Sequence, residues 1–320
     1  MKTPSRLWVV SSIMMDVGVT VDSWPPRGGD ILARHGRAVP GGAFNVIAAA
    51  HRLGLETIYG GLVGSGPFGT AIQQELAALP VSWAIPPISG QDTGFDVVIV
   101  EPDGERTFIT ASGCEVGLDW PHLRMLSVRS HEAVYLSGYS LLSEPSASAL
   151  RRWLTELPNV WVILDPGPLA ADIPVAVLKT LLPTVTIFTM NQREARDLSG
   201  CDDPGQALQI LTGWLGGGRV VIRVGEAGAW ALDDSGKPLR IPSRAAQVVD
   251  TTGAGDVHTG ALIARMGRNN WVRTVFEANI AASLAVERQG PSESPTSDEL
   301  DRCLSSLDHA VGPPGSTPIG

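Results

Sequence analysis

Cysteine is scarce in this 320-residue chain. The three cysteines, Cys114, Cys201 and Cys303, are far apart, odd in number and free of any C-x-x-C pair. This spacing argues against a disulfide framework and against a zinc site built on thiolates. A reducing, cytoplasmic location fits such cysteine usage.

Long apolar runs are also missing. No run approaches the about 20 residues that a membrane span needs, so no span is expected. The apolar run Leu7–Ile13 is interrupted at Ser11 and Ser12 and followed by Asp16, and it predicts a buried strand rather than a signal peptide. Basic charge is in deficit, with 24 Lys and Arg against 33 Asp and Glu and a net charge of −9. This balance argues against nucleic acid as the main partner, although a local anion site remains compatible with it.

Several catalytic motifs are absent from the sequence, namely H-E-x-x-H, the Walker P-loop and G-x-S-x-G. Gly64–Gly69 does match the dinucleotide pattern G-x-G-x-x-G after the apolar run Thr57–Val63. Pro67 stiffens this loop, however, and no acidic residue ends a strand about 20 residues further on, where a cofactor ribose would need one. A nicotinamide-dependent oxidoreductase is therefore the weakest of the hypotheses considered.

Apolar and helical patterns alternate along most of the chain. From Glu132 onward, strand-like runs and helix-like segments follow one another, which predicts βαβ units and a mostly parallel sheet. Earlier, Phe95–Val100 and Arg106–Thr110 flank the turn Pro102-Asp103-Gly104-Glu105 and predict a β-hairpin. A hairpin at this place in an α/β chain is expected to lie off the main sheet, as a flap.

The stretch Val248–Ala261 reads V-V-D-T-T-G-A-G-D-V-H-T-G-A and carries the densest chemistry. The short apolar run Gln247–Val249 predicts a strand before Asp250, and the glycines then lead into a helical pattern. A glycine-rich turn at a helix N-terminus offers a phosphate free backbone N–H groups and the positive end of the helix dipole. Asp256 would compete with that phosphate unless its task is to take a proton from an attacking hydroxyl. The structural alternative is that both aspartates only cap the helix.

Other polar residues stand where ligands bind in α/β proteins, and each has a structural alternative. Asp16 follows the first strand and is either a ligand contact or a turn aspartate. Asn45 begins an apolar helix and either satisfies backbone N–H groups or contacts a polar ligand. Asn191 and Glu194 form a capping box or organise a metal ion and its waters. Gly225–Gly228 makes an ordinary hairpin turn or lets a nucleotide approach the backbone.

Four features in a fixed order then identify a resemblance. They are Gly41-Gly42-x-x-Asn45, the Thr93-Gly94 hairpin with D-G-E-R-T, Asn191-x-x-Glu194, and Asp250-Thr-x-Gly253-Ala-Gly255-Asp256. Over roughly Leu7 to Leu307 the chain resembles a PfkB-type carbohydrate kinase of the ribokinase-like superfamily, and it looks closest to uncharacterised bacterial sugar kinases that carry G-A-G-D-x-H. The resemblance implies a three-layer α/β/α sandwich with a mostly parallel central sheet, a small β-sheet lid formed by about 14–38 and 91–112, and one kinase domain over 1–310.

The resemblance also implies ATP as donor, Mg²⁺ as cofactor and a role for each matching residue. Asp256 would be the general base, and Gly253, Ala254 and Gly255 would form the anion hole for the transferred phosphoryl group. The acceptor would be held by Asp16, Gly41, Gly42 and Asn45. The nucleotide would be lined by Asn191, Arg223, Gly225, Gly228 and Asn279. Asn191 and Glu194 would organise Mg²⁺ through water, and Asp250, Gly290 and Ser294 lie where ribokinases bind a monovalent cation such as K⁺.

The chain departs from the family at several positions. His258 stands where Phe is usual and is interpreted as a structural neighbour of the pocket. Gly66-Pro67 replaces a loop aspartate, Ser137-Gly138-Tyr139 replaces Gln-x-Glu, and Arg223 replaces a threonine. These departures concern the acceptor and part of the nucleotide contact, and they leave the catalytic stretch intact.

The sequence therefore predicts an ATP-dependent kinase that phosphorylates a hydroxymethyl group of a small sugar. A nucleoside kinase of the same fold is the alternative, and a catalytically silent sugar-binding regulator is a third hypothesis that the intact Asp256 argues against. Lid strands in this family often contact another subunit, so a homodimer through the lid is a further expectation. The last residues, 311–320, lack a core-forming pattern and are expected to form a flexible tail.

Overall fold

Strands and helices alternate through the part of the chain that the computed structural model describes, residues 3–290 and 292–311. The strands are β1 Leu7–Val9, β2 Ile13–Thr20, β3 His35–Gly42, β4 Thr57–Tyr59, β5 Ser82–Trp83, β6 Phe95–Val100, β7 Arg106–Ala111, β8 Ala133–Ser137, β9 Trp161–Asp165, β10 Ile187–Asn191, β11 Arg219–Arg223, β12 Ala229–Leu232 and β13 Pro238–Ile241. The helices are α1 Ala43–Arg52, α2 Pro67–Ala78, α3 Trp120–Leu123, α4 Glu144–Glu156, α5 Val175–Leu181, α6 Gln192–Ser199, α7 Pro204–Thr212, α8 Ala254–Arg265, α9 Trp271–Ala285 and α10 Ser297–Val311.

A nine-stranded sheet forms the centre of the molecule, in the order β13-β12-β11-β10-β9-β8-β1-β4-β5. All neighbours from β11 to β5 run parallel, and only the pairings β11–β12 and β12–β13 are antiparallel. Parallel neighbours require crossover connections, which the intervening helices supply. The predicted mostly parallel sheet is confirmed.

Two apolar cores cover the two faces of this sheet. Alternate residues of β1 divide between them, since Leu7 and Val9 join one core while Trp8 joins the other. The first core contains buried side chains of α1, α2, α8, α9 and α10, and the second contains those of α4, α5 and α7. Because helices cover both faces, a parallel sheet buried on each side results, and the predicted three-layer α/β/α architecture is confirmed.

A second, four-stranded sheet, here called the lid sheet, has the order β3-β2-β6-β7. The β6–β7 hairpin has the predicted strands, with β7 extended to Ala111. β2 pairs antiparallel with β3 and parallel with β6. The first lid excursion reaches Gly42 rather than 38, because β3 stays paired with β2 until it enters α1.

The prediction of one buried strand over Leu7–Ile13 is wrong. β1 ends at Val9, and the chain leaves the central sheet before β2 begins at Ile13. The break coincides with the two serines. Ser11 Oγ lies 2.5 Å from Ser137 Oγ, and the carbonyl of Ser12 accepts a hydrogen bond from the N–H of Ala43. These contacts end the ladder and turn the chain into the lid sheet.

The predicted strand at Gln247–Val249 is also wrong, because this segment has no strand partner. Val248 and Val249 are 64% and 60% exposed. The N–H groups of Val249 and Asp250 both donate to the carbonyl of Val286, just after α9. The segment is therefore an anchored loop, and its apolar side chains are free to line the neighbouring clefts.

At the C-terminal end, Val311 is the last residue of α10. The remainder of the predicted tail, 312–320, lies outside the described residues. Among the helices of the described ranges, none combines the length and the apolar character that crossing a membrane would require.

Candidate active site

The glycine-rich stretch Asp250–Asp256 leads into the N-terminus of α8. Gly253 occupies the N-cap position with φ of 73°, a left-handed conformation that favours glycine. Helix α8 begins at Ala254, so the N–H groups of its first turn have no partner within the helix. Asp256 lies in that first turn. The structure therefore places a carboxylate in the first turn of a helix that begins at a glycine N-cap.

Asp256 is held by Asn45 from α1. Asn45 Nδ2 donates to Asp256 Oδ2 over 2.9 Å. Burial raises the pKa of Asp256 to about 6, the Asn45 hydrogen bond lowers it, Asp165 raises it and Arg223 lowers it. A carboxyl group with such a pKa is ionised at neutral pH and is a stronger base than an ordinary aspartate.

Asn45 does not cap its own helix. The N-cap of α1 is Gly42, and that end carries no side-chain cap. Asn45 is 3% exposed, and its Oδ1 has no hydrogen-bond partner among the described residues. The capping interpretation is therefore wrong, and a buried acceptor beside Asp256 is left to receive a hydrogen bond from a ligand.

Asp16 faces the same region from β2. Burial raises the pKa of Asp16 to about 7; the charges of Asp96 and Asp256 raise it further, and Arg37 lowers it. A Cβ at Gly41 would overlap the Asp16 carboxylate, so the glycine makes room for this side chain.

Asp96, which the sequence analysis missed, stands beside Asp16. The two pair in register between parallel strands, so their side chains share one face of the lid sheet. Thr110, opposite Asp96 on β7, donates a hydrogen bond to it. The run Phe95–Val100 is apolar apart from Asp96, so the sequence indicated a hairpin strand and not a site residue.

A cavity of about 290 Å³ lies between this face of the lid sheet and the loop Val249–Thr252. The strand register places the residues of this face in three rows across the sheet. The innermost row holds Asp16 and Asp96, and the middle row holds Gly18, Val98 and Phe108. The outermost row holds Thr20, Val100 and Arg106. Of the two innermost carboxylates, Asp16 is the one on which the charge of Asp256 acts. We call this space the acceptor cavity.

A second cavity, of about 450 Å³, lies on the other side of the same loop. Its lining includes Ala254 and Gly255 together with every residue predicted to contact the nucleotide, namely Asn191, Arg223, Gly225, Gly228 and Asn279. We call it the nucleotide cavity. Val249 and Asp250 line the acceptor cavity, whereas Val248 and Thr251 line the nucleotide cavity. The segment Val248–Thr251 therefore separates the two cavities.

Arg223 forms a buried ion pair below the helix start. Its Nη1 donates to Asp165 Oδ2 over 3.0 Å, and its Nη2 lies 3.9 Å from Glu194 Oε2. Thr189 and Thr259 accept further hydrogen bonds from Nη1. Asp165, at the end of β9, was missed as a site residue, because only the fold brings it beside Arg223.

Asn191 and Glu194 form the predicted capping box. Asn191 Oδ1 accepts from the N–H of Glu194 over 2.9 Å, and the Asn191 N–H donates to Glu194 Oε2 over 2.8 Å. Burial raises the pKa of Glu194 to about 7, Asp165 raises it and Arg223 lowers it. The oxygen donors are of the kind Mg²⁺ prefers, yet both carboxylate oxygens already accept hydrogen bonds, which fits contact through water. In residues 3–290 and 292–311 no cluster of three or more His, Cys, Asp or Glu could hold a metal.

The predicted monovalent-cation residues have other partners. Asp250 accepts from Arg106 over 2.7 Å, from Arg37 over 3.4 Å and from the N–H of Gly290 over 3.2 Å. The carbonyl of Ser294 accepts from two further arginines, Arg52 and Arg288, while its buried Oγ has no described partner. A cation at about 4 Å from one guanidinium is repelled by about 4 kcal/mol at an effective dielectric of 20. The Asp250 carboxylate, which already binds two guanidinium groups, therefore does not suit a monovalent cation, although the Ser294 hydroxyl has no partner among the described residues.

His258 is buried in α8 and lines the nucleotide cavity. Asn279 Nδ2 donates to the carbonyls of Ile241 and Pro242, which turns its Oδ1 toward His258 Nε2 at 3.1 Å. His258 therefore carries its proton on Nε2. Burial and then Arg223 lower the pKa of His258 to about 3, and the hydrogen bond with Asn279 acts in the opposite direction. A side chain that stays neutral at physiological pH fits the predicted structural role.

The G-x-G-x-x-G loop is filled from within the chain. Asp92 accepts hydrogen bonds from the N–H groups of Phe68 and Gly69, at the start of α2. A Cβ at Gly66 would overlap the Asp92 side chain. The helix N-terminus that a dinucleotide phosphate would need is thus occupied by a carboxylate, which argues against the nicotinamide hypothesis.

Comparison with known proteins is consistent with this geometry. The family described as pfkB family carbohydrate kinase matches residues 5–298. The uncharacterized sugar kinase YegV of Escherichia coli (strain K12) is 32% identical over 307 residues, which cover 93% of this chain and 94% of that protein. A structure of ribokinase from Giardia lamblia superimposes with a TM-score of 0.81 at 21% identity, covering 95% of this chain and 99% of its own. Arabidopsis thaliana ribokinase complexed with ribose and ATP gives a TM-score of 0.75 at 25% identity, covering 94% and 99%.

Proposed function

The chain belongs to the pfkB family of carbohydrate kinases, and from that premise we propose that it transfers the γ-phosphoryl group of ATP to a hydroxymethyl group of a small carbohydrate. The observation that carries this proposal is the position of Asp256. Its carboxylate stands in the first turn of α8, held by Asn45. Ala254 and Gly255 of the same turn line the nucleotide cavity, and the charge of Asp256 acts on Asp16, which lines the acceptor cavity. A carboxylate next to residues of both cavities suits proton removal from an alcohol.

Asp256 takes the proton of the acceptor hydroxyl as its oxygen bonds to the γ-phosphorus. The bond from that phosphorus to the β–γ bridging oxygen breaks, and ADP leaves. Gly253, Ala254 and Gly255 offer backbone N–H groups and the positive helix end to the charge on the transferred group. Asn191 and Glu194 would hold Mg²⁺ through water, and the ion would neutralise charge on the phosphates.

The acceptor would occupy the cavity under the lid sheet. Asp16 supports this assignment, since its carboxylate has no hydrogen-bond donor among the described residues and faces the cavity. Gly41 makes room for the Asp16 carboxylate, and Asn45 Oδ1 offers a further acceptor. Sugar hydroxyls are donors, so a site rich in acceptors suits a polyhydroxylated molecule.

A nucleoside is the alternative acceptor, and one observation favours it. Val98, Val100 and Phe108 form an apolar strip on the cavity face of the lid sheet, and Phe108 is 52% exposed. An aromatic ring beside an apolar strip suits a planar base. The sugar remains the first proposal, because the Asp16 carboxylate lines this cavity and is the cavity group on which the charge of Asp256 acts.

A coupled ATP-consumption screen over pentoses, hexoses, ketoses, sugar acids and nucleosides, with Mg²⁺ present, tests both proposals. The Asp256→Asn protein serves as the blank. Turnover with one acceptor class that is lost in the variant supports the kinase and names the class. Silence across the panel, together with tight binding of a sugar, would favour the regulator hypothesis instead.

We also propose a cytoplasmic location, which the three free cysteines support. Assembly into a homodimer through the lid sheet is proposed as well. Its support is Ile109 on the edge strand β7, which is 57% exposed on the face opposite Phe108.

A further inference from the structure

Two arginines of the lid sheet donate to the carboxylate of Asp250, in the loop Val249–Thr252, here called the catalytic loop. Arg106 on β7 donates to Asp250 Oδ1 over 2.7 Å and to Thr251 Oγ1 over 3.3 Å. Arg37 on β3 donates to Asp250 Oδ2 over 3.4 Å. We call these four residues the Asp250 bridge. It joins two different lid strands to the segment that runs directly into Gly253–Gly255.

The carboxylate of Asp250 has no capacity left for another partner. It is only 9% exposed, and besides the two arginines it accepts from the N–H of Thr252 over 2.9 Å, from its Oγ1 over 2.5 Å and from the N–H of Gly290 over 3.2 Å. A carboxylate offers roughly four lone-pair sites, and five donors share them here. A metal cation would have to displace several of these donors.

Positive charge also surrounds the second part of the predicted cation site. The carbonyl of Ser294 accepts from Arg52 over 3.0 Å and from Arg288 over 3.3 Å. These arginines are balanced by Glu293 and Glu299 respectively. Guanidinium groups therefore already occupy the carbonyl oxygen that a monovalent ion would need.

We propose that the lid arginines, Arg106 above all, take the place of a monovalent cation beside the anion hole, so that phosphoryl transfer proceeds without K⁺. This inference rests on the proposed kinase function. Arg106 acts through Asp250 and Thr251, so it is a positioning residue. It fixes the loop that leads to Gly253 and adds positive charge near the developing phosphoryl charge.

The first test compares KCl with tetramethylammonium chloride at constant ionic strength. We expect kcat/KM for the acceptor found in the screen to agree within about twofold between the two salts, since no ion site is left to fill. The midpoint of thermal unfolding should likewise not rise when K⁺ replaces tetramethylammonium. A saturable rise of the midpoint, or about tenfold activation by K⁺, would overturn the inference.

The second test removes the charge. Arg106→Gln should lower kcat about tenfold or more while the KM for ATP changes little, and added guanidinium or K⁺ should restore part of the loss. Arg34→Gln is the matched control, because Arg34 also belongs to the lid segment but pairs with exposed Asp22. Loss of turnover that no added cation restores would contradict a charge-supplying role. If Arg106→Gln does not fold, Arg37→Gln carries the same comparison, since that side chain is 42% exposed.

Failure of the two proposals can be told apart. If no acceptor is turned over by the unmodified protein, the proposed function is at fault. The effect of K⁺ on thermal unfolding still decides whether a cation site exists, because it does not depend on turnover.

Discussion

At the scale of single residues, Asp256 is the side chain whose protonation state controls the proposed reaction. Asp256→Asn keeps the shape and the Asn45 contact but removes the base, so kcat should fall by about two to four orders of magnitude. Acceptor binding, measured by calorimetry, should change little. Unchanged kcat would contradict the assignment of the base.

The pH dependence of the proposed reaction follows from the ionisation of Asp256. The pKa of Asp256 is raised to about 6 by burial, and the base works only when ionised. The acceptor kcat/KM should therefore rise with pH through about 6 and level off above it. A profile that is flat between pH 5 and 8 would be the contrary result.

Arg223 is expected to influence the pH at which kcat/KM rises, that is, the acid limb of the pH profile. Its charge lowers the pKa of both Asp256 and Glu194, so Arg223→Met should move the acid limb of kcat/KM to higher pH. Removal also leaves Asp165 buried and unpaired, a loss that is typically about 3–5 kcal/mol of the free energy of unfolding. Arg223→Lys keeps the charge and is the control. An acid limb at the same pH in the Met and Lys proteins would contradict this prediction.

At the scale of elements, the contact between β3 and β2 shapes the acceptor cavity. A Cβ at Gly41 would overlap the Asp16 carboxylate, so Gly41→Ala must displace that side chain. We expect the KM for the acceptor to rise about tenfold or more, with the KM for ATP unchanged. Gly117→Ala is the control, because its nearest neighbour atom would lie 3.9 Å away. Equal acceptor KM values in the two variants would show that Asp16 does not bind the acceptor.

Elements with strong local signals could be predicted from the sequence, and those set by distant partners could not. The β6–β7 hairpin and the capping box of α6 depend on neighbours within a few residues, so residue order alone specifies them. The loop Gln247–Val249 carries a strand-like pattern, yet its N–H partner is the distant carbonyl of Val286. Strand pairing brings Asp96 and Asp165 to the site, and no local pattern in the sequence indicates that pairing.

At the scale of the whole molecule, the buried acidic groups of the site lower the free energy of unfolding when they are ionised. Burial, as the first cause, raises the folded-state pKa of Asp16 and Glu194 to about 7 and that of Asp256 to about 6. Between pH 4 and 7 the native state therefore binds more protons than the unfolded state, and stability falls as pH rises. The thermal midpoint should be higher at pH 5.5 than at pH 8, and Asp256→Asn should raise it by about 2 °C at pH 8. A midpoint that increases from pH 5.5 to 8 would reverse the sign.

Assembly is tested at the same scale. If the lid sheet mediates a homodimer, light scattering should give twice the chain mass of 33.7 kDa. Ile109→Asp puts a charge on the exposed face of the edge strand β7 and should return the protein to one chain mass. Leu239→Asp, on the edge strand β13 of the central sheet, is the control, since Leu239 is also 40% exposed. A single-chain mass before any substitution would end the proposal.

The Asp250 bridge has a consequence for the use of ATP. Two of its members belong to the lid sheet and two to the catalytic loop, so any movement that lifts the lid withdraws the arginines from the loop. Water could then reach Asp256, but the loop before the anion hole would lack its positive partners. We therefore expect ATP bound without an acceptor to be hydrolysed slowly, which phosphate release measured in the absence of any acceptor checks.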